Sequence, residues 1–332
     1  MKLLEKKLLD LTKHHYLNSQ KYKKIIDSLF AKKSNNLENI PFLPINLFKD
    51  LNLKSIPDKN VFKILHSSGT SGNVSKIFLD KNNAQNQTKA LNDIISKLLG
   101  KERIPMLILD QKINFKDKNK FNAKIAAIIG FSIFGKNIHY LLNENNEIDY
   151  VGLNNFLKLH GKKKFFVFGF TNNVYENLIQ KLDQKNIISN FENGILLHAG
   201  GWKKMENKKI DNEIFKSELF KKFNFLKIIN YYGLIEQTGS IFLECEKCGN
   251  FYSSKYSTVI IRGKNFEVLP EGKKGFIQLL SILPTSYPGH SILTEDMGSI
   301  VKNNCSLCFG KKSFLVHGRA KKSEIRGCSD AQ

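Results

Sequence analysis

No stretch of this chain approaches the ~18 uninterrupted apolar residues that a membrane-spanning helix needs. The N-terminus, MKLLEKKLLDLTKHH, also lacks the apolar core of a secretory signal, because charges break its leucines every few residues. What remains there is an amphipathic helix with Leu4, Leu8 and Leu11 on one face. Internal repeats and low-complexity linkers are lacking too. Cysteine is scarce, five in 332 residues. That suits a reducing compartment, where thiols serve as metal ligands or nucleophiles, and a cytoplasmic location is expected. Acidic residues are outnumbered, 30 against 52 basic ones, for a net charge of +22. The lysines run almost evenly from Lys2 to Lys322 instead of forming one basic block interleaved with aromatics. This argues for a solvated surface and against a nucleic-acid partner, although the excess still attracts anions such as nucleotides.

The chain is long enough for one large domain or two smaller ones. Helices are expected over about 1–17 and 19–32, followed by an interruption at Pro41 and Pro44. Further on, helical patterns at 84–99, 123–130 and 172–184 alternate with apolar runs at 106–109, 165–168, 194–198 and 226–230. Such alternation predicts an α/β fold with a substantial parallel sheet. After about residue 240 the texture changes to short strands, at 255–262, 275–282 and 299–302, separated by glycine and proline. A β-rich closing region is the expectation there, and one large domain with a short C-terminal extension fits best.

Three groups of residues carry chemistry. Ser67, Ser68, Gly69, Thr70, Ser71 and Gly72 lie between two extended-looking apolar segments. Glycines there would let backbone N–H groups and hydroxyls close around an anion such as a nucleotide triphosphate; a polar hairpin loop has the same composition. The second group, Tyr231-Tyr232-Gly233-Leu234-Ile235-Glu236, ends a buried strand, where ligand sites form in open α/β sheets. An aromatic ring can stack on a base there, and Glu236 can hold a divalent ion. The third group is two pairs, Cys245-x-x-Cys248 and Cys305-x-x-Cys308, flanked by Gly249 and Gly310. Two such turns facing each other would complete a structural zinc site, with redox dithiols or unrelated core cysteines as the other readings.

Taken in order, LPINLFKDLNLKS before the Ser/Gly loop, GFSIFG at 130–135, FGFTNNVYE at 168–176, HAGGWK at 198–203 and YYGLIEQTGSIFLEC at 231–245 resemble the LuxE acyl-protein synthetases. These belong to the adenylate-forming superfamily and are related to the phenylacetate–CoA ligases. The resemblance implies the large N-terminal-type domain of those enzymes, over 1–317, and a hinge-like tail over 318–332, without a full C-terminal lid domain. It implies that Ser67–Gly72 wraps the phosphates of ATP, and that Gly200 and Gly201 form a wall of the adenine site. Tyr232, Gly233 and Glu236 would hold adenine and magnesium, and Asp296, within Thr294-Glu295-Asp296, would grip the ribose. Arg319, within His317-Gly318-Arg319, would belong to the hinge.

The implied activity is formation of a fatty acyl-adenylate, followed by transfer to Cys328 as a thioester for delivery to an acyl-CoA-reductase-like partner. Lys321, Lys322 and Arg326 would favour the Cys328 thiolate. Read without the resemblance, Cys328 is an incidental exposed cysteine near a terminus, and the resemblance reverses that reading. Two rival readings stand beside this one: an acyl- or aryl-CoA ligase, and a zinc-containing nucleic-acid-binding protein without catalysis. Ser75 stands where many adenylate-forming enzymes have lysine, and Lys76 beside it is either a phosphate contact or a surface lysine. His198, His290 and His317 read as packed or satisfied histidines and not as acid–base groups. The phenylalanines at 131, 134, 165, 166, 168 and 170 read as core or as an acyl pocket.

Overall fold

The computed structural model describes residues 2–30, 35–67, 74–113, 123–187, 190–201, 210–302 and 304–320. These divide into two compact units, one from residues 2–94 with 232–320 and the other spanning Ile95–Tyr231. One boundary falls inside the helix Lys81–Leu99 and the other inside the strand Lys227–Tyr232, so no linker composition marks either.

The Ile95–Tyr231 unit is built on parallel strands in the order Gly135–Leu142, Ile104–Gln111, Phe165–Phe170, Gly194–Ala199 and Lys227–Tyr232. Phe165–Phe170 and Gly194–Ala199 are buried at every position. Strands covered on both faces read as continuous apolar runs, which is why these two were legible. Alternation still sorts their side chains. Phe165 and Val167 join the cluster of Phe156, Phe191, Leu196 and Phe223, while Phe166 and Phe168 meet Phe131. The phenylalanines at 131, 134, 165, 166, 168 and 170 are all buried. The helix Asn212–Phe223 starts where the Asp211 carboxylate accepts from the Glu213 N–H, and it ends at Asn224 in the left-handed region (φ 52°). Helix Tyr150–His160 is capped in the same way by Asp149. The helix expected over 172–184 is instead a short turn, Thr171–Val174, continued as a wider π-type coil over Tyr175–Lys181. The segment 123–130 forms a helix that runs past Gly130 to Ser132.

The other unit holds the N-terminal helices Lys2–Asn18 and Gln20–Leu29, with Ser19 accepting from Tyr22 N between them. Leu4 and Leu8 pack with Ile260 and Leu280, as the amphipathic pattern predicts. Its sheet is antiparallel, in the order Phe251–Tyr252, Ser313–Arg319, Ser291–Val301, Gly275–Ser281, Ser257–Arg262. The strand foreseen at 299–302 is the end of a much longer one. Ser313–Arg319 is a further strand, and it contains His317, Gly318 and Arg319 of the hinge-like segment. A separate hairpin pairs Lys63–His66 with Lys76–Leu79. No described helix is long and apolar enough to cross a membrane.

Candidate nucleotide site and cysteine cluster

The hairpin Lys63–His66/Lys76–Leu79 brackets the Ser/Gly loop. Ser68, Gly69, Thr70, Ser71 and Gly72 lie outside the described residues, but the base of the loop is defined. Ser67 N donates to Ser75 O at 3.1 Å, and Ser75 N donates back to Ser67 Oγ at 2.8 Å. This reciprocal pair holds both ends of the loop in register, so the first hydroxyl of the predicted cradle is occupied in closing it. The Ser75 side chain is buried beside the Glu236 carboxyl, about 160 residues away in sequence. The Ser75 hydroxyl makes no well-directed hydrogen bond. It nevertheless favours the charged form of Glu236, whereas burial, the larger effect, raises the Glu236 pKa above its ordinary value.

Glu236 sits in the 3₁₀ turn Ile235–Gln237 just past the strand Lys227–Tyr232. The turn is fastened to the antiparallel sheet and the loop after it. Tyr287 Oη donates to Glu236 O at 2.7 Å, and Gln237 Nε2 donates to Leu279 O and Gly289 O at 3.1 and 2.8 Å. Gly239, at φ +85°, closes the segment where a Cβ would lie 2.7 Å from Gln87 O, so no larger residue fits. A carboxylate held this rigidly and this far from water can offer its oxygens to a divalent cation, and a cation would restore its charged state.

Tyr232 and Asp296 meet, although 64 residues separate them. Tyr232 Oη donates to Asp296 Oδ2 at 2.6 Å, and Arg319 Nε lies 3.9 Å from Asp296 Oδ1. Asp296 is directly opposite Arg319 across the sheet, next to a register shift at Met297/Gly298. Bulges of this kind redirect side chains at sites. Thr294 Oγ1 accepts from Asp296 N at 3.1 Å and donates to Ile277 O at 2.9 Å, which fixes the carboxylate's backbone. Burial raises the Asp296 pKa, opposed by the Tyr232 hydrogen bond and the Arg319 charge. Burial and the neighbouring Asp296 both hold Tyr232 well above its ordinary pKa, so the phenol stays a donor. Gly233 follows Tyr232 at the strand end, with Ser240 O at 3.3 Å from where a Cβ would stand.

Gly200 and Gly201 lie at the end of strand Gly194–Ala199 in the Ile95–Tyr231 unit, Gly200 at φ +88°. Trp202, Lys203, Lys321, Lys322, Arg326 and Cys328 fall outside the described residues. His198 is buried, shares a 3.0 Å hydrogen bond with Thr171, and is held near a pKa of about 3 by burial. His290 is likewise buried and held near about 3, sharing a 3.0 Å hydrogen bond with Thr12. His317 bonds Ser299 at 2.9 Å. His198 and His290 are packed histidines with partners, whereas His317 is exposed and satisfied by its Ser299 hydrogen bond.

Cys245, Cys248, Cys305 and Cys308 converge, with every sulfur within 4.8 Å of the others. Cys245–Cys305 and Cys248–Cys308 are each 3.7 Å apart, well beyond a disulfide bond. Four sulfurs around one zinc at ~2.3 Å would stand about 3.8 Å apart along each tetrahedral edge. Backbone N–H groups of Leu307 and Cys308 point at the Cys305 sulfur, the former being the main reason its pKa falls to about 7. Gly249 and Gly310, at φ +70° and +74°, let the chain turn back after each pair. The cluster is compatible with zinc.

The profile of the acyl-protein synthetase family LuxE matches residues 1–332. The chain belongs to the LuxE acyl-protein synthetase family. Its fold is that of the adenylate-forming ligases. A 2-hydroxyisobutyryl-CoA ligase, solved in an open conformation with 2-HIB-AMP and CoA, matches with a TM-score of 0.69 and 12% identity over 98% of this chain and 76% of that one. Amide bond synthetase McbA from Marinactinospora thermotolerans gives 0.52 and 13%, over 79% of this chain and 49% of that one. ATP-bound MatB from Rhodopseudomonas palustris gives 0.51 and 13%, over 80% and 49%. The matches span about half the length of these last two proteins. No curated protein matches the chain. Family and fold together make this LuxE-family protein an AMP-forming ligase.

Three residues at the site were not singled out from the sequence as contributors. In the sequence Ser75 stands out only as a departure from a lysine pattern. Thr294 was seen only as a neighbour of Asp296. Asn83 is buried in the helix after the hairpin, where its side chain donates to Leu283 O and accepts from Thr285 N and Ser286 N. A lone asparagine in a polar helix start carries no signal of that role.

Proposed function

We propose that this LuxE-family ligase activates a long-chain fatty acid with ATP and loads the acyl group onto its own Cys328. The observation that carries the reading is the Tyr232–Asp296–Arg319 group, in a unit where Ser75 at the loop base and Glu236 are also buried. In the first half-reaction the fatty carboxylate oxygen attacks the α-phosphorus of ATP, forming a P–O bond as the bond to pyrophosphate breaks. The 67–72 loop would align the phosphates and Asp296 would accept from the ribose hydroxyls. Glu236 would hold magnesium, whose charge offsets that of the phosphates. In the second half-reaction the Cys328 thiolate attacks the acyl carbonyl. A C–S bond forms, the C–O bond to AMP breaks, and AMP leaves. A reductase-like protein would then receive the thioester. The four clustered cysteines would hold a structural zinc that takes no part in the chemistry.

Incubation with ATP, Mg²⁺ and a panel of fatty acids, followed by intact mass, tests this. The expected product is one acyl adduct, released by hydroxylamine and lost in Cys328→Ser, while pyrophosphate exchange persists in that variant. Acyl-CoA formation without an adduct would move the protein to the CoA ligases.

A further inference from the structure

The cysteine cluster is wired to Tyr232. Cys245 and Cys248 lie in the turn between Phe242–Leu243 and Phe251–Tyr252, and Cys305 and Cys308 in the turn between Ser291–Val301 and Ser313–Arg319. The strands leaving the two turns pair directly, Phe251 opposite Phe314 and Tyr252 opposite Ser313. Ser253 N donating to Lys312 O at 2.9 Å extends the pairing. A two-residue strand contributes little stability alone, so what closes the far end of this ladder matters.

The side chains on these strands form a box. The Tyr232 ring centre lies 6.4, 6.1 and 6.1 Å from those of Phe242, Phe251 and Phe314. Phe314 in turn meets Phe242 edge-on at 5.2 Å and Phe251 at 5.7 Å. Each of these phenylalanines is within six residues of a cysteine of the cluster, and Asp296 and Arg319 sit on the two strands that the second cysteine turn joins.

Resting on the nucleotide reading above, we propose that zinc bound by Cys245, Cys248, Cys305 and Cys308 is a positioning device for the nucleotide. By tying the two turns together it holds Phe251 against Phe314, and so holds the Tyr232 hydroxyl on Asp296. The cysteines are positioning residues here, acting through the aromatic box and touching no substrate.

The test compares zinc-loaded wild type, Cys305→Ser, Cys305→His and Phe251→Leu. Each is measured for zinc content by atomic emission, for ATP affinity by calorimetry with Mg²⁺, and for fold by far-UV circular dichroism. KM values for ATP and for the fatty acid are taken separately. Cys305→Ser should lose zinc and bind ATP about tenfold more weakly, the scale of one misplaced charge-assisted hydrogen bond, with the fatty-acid KM unchanged. Cys305→His, which still offers a fourth ligand, should keep zinc and restore ATP affinity. Phe251→Leu should keep zinc and still weaken ATP binding.

Zinc loss with unchanged ATP affinity would overturn the proposal, as would a parallel rise in both KM values, which marks general loosening. Wild type without zinc after expression in zinc-supplemented medium would overturn it too. Failure of zinc-loaded wild type to bind ATP would overturn the nucleotide reading, and this inference with it.

Discussion

Glu236→Gln separates the proposed role of Glu236 from a structural one, because the two predict opposite signs for stability. Glu236 is 4% exposed, and burial raises its pKa, only partly offset by the Ser75 hydroxyl. A carboxyl whose pKa is higher folded than unfolded binds its proton more tightly in the folded state. Stability therefore falls as pH rises through the window between the ordinary glutamate value and the raised one, and it stays lower above that window. At neutral pH, without metal or nucleotide, the protein carries a desolvation penalty that glutamine, nearly the same shape and uncharged, removes. Glu236→Gln should therefore raise the melting temperature of the nucleotide-free protein, by roughly 2–4 °C for each kcal/mol relieved.

The same variant should lose pyrophosphate exchange by about 10²–10³-fold, the usual effect of deleting one electrostatic group from a reacting centre. Wild-type exchange should fall on acidification at a pH above the ordinary carboxylate range, since the raised pKa moves the loss of charge upward. Differential scanning fluorimetry without nucleotide, scanning with Mg²⁺ and ATP, and a pH profile of exchange make the assay. A variant with a lower melting temperature and near-normal exchange would refute the reasoning, showing that Glu236 is a structural acid held by its neighbours.

Tyr232→Phe removes the donor at 2.6 Å from Asp296. It should raise the ATP KM about tenfold with little change in the fatty-acid KM, checked by initial rates. Acid stability should reflect the buried histidines. His198 and His290 have folded pKa values of about 3, below the ordinary 6.5, so stability present above pH 6.5 is lost as pH falls from there towards 3. Urea titrations at stepped pH should show this slope, and His290→Gln should flatten it.

Much of the parallel sheet was legible because its strands are apolar on both faces, as Phe165–Phe170 and Gly194–Ala199 show. The strand Ser313–Arg319 was not, because beyond Phe314 it alternates exposed and half-buried positions and carries His317 and Arg319. Its pattern follows one covered face, and its hydrogen bonds come from partners distant in sequence. The π-type coil at Tyr175–Lys181 is indistinguishable from ordinary helix in the sequence. Leu178 and Ile179 pack against the parallel-sheet core as residues of an ordinary helix would, so nothing in the apolar pattern marks the wider winding. The division into two units escaped reading for a different reason. One unit is assembled from residues on both sides of the other, and a boundary inside a helix or strand leaves no trace in composition.

The site divides along the same line. Asp296 and Glu236 could be singled out because they sit in recognisable motifs, yet nothing local says that Tyr232 lies on Asp296 or that Ser75 lies on Glu236. Those meetings come from the sheet register that sets Asp296 opposite Arg319, and from the hairpin that sets Ser67 against Ser75. The cysteines are the instructive exception. Each Cys-x-x-Cys pair is a local signal, and the requirement for four ligands predicts a contact across 60 residues before any strand is assigned. Metal chemistry makes a long-range contact legible because an incomplete ligand set is chemically unfinished. An incomplete aromatic box carries no such demand. Phe251 and Phe314 therefore read as ordinary apolar residues, although they connect the cluster to Tyr232.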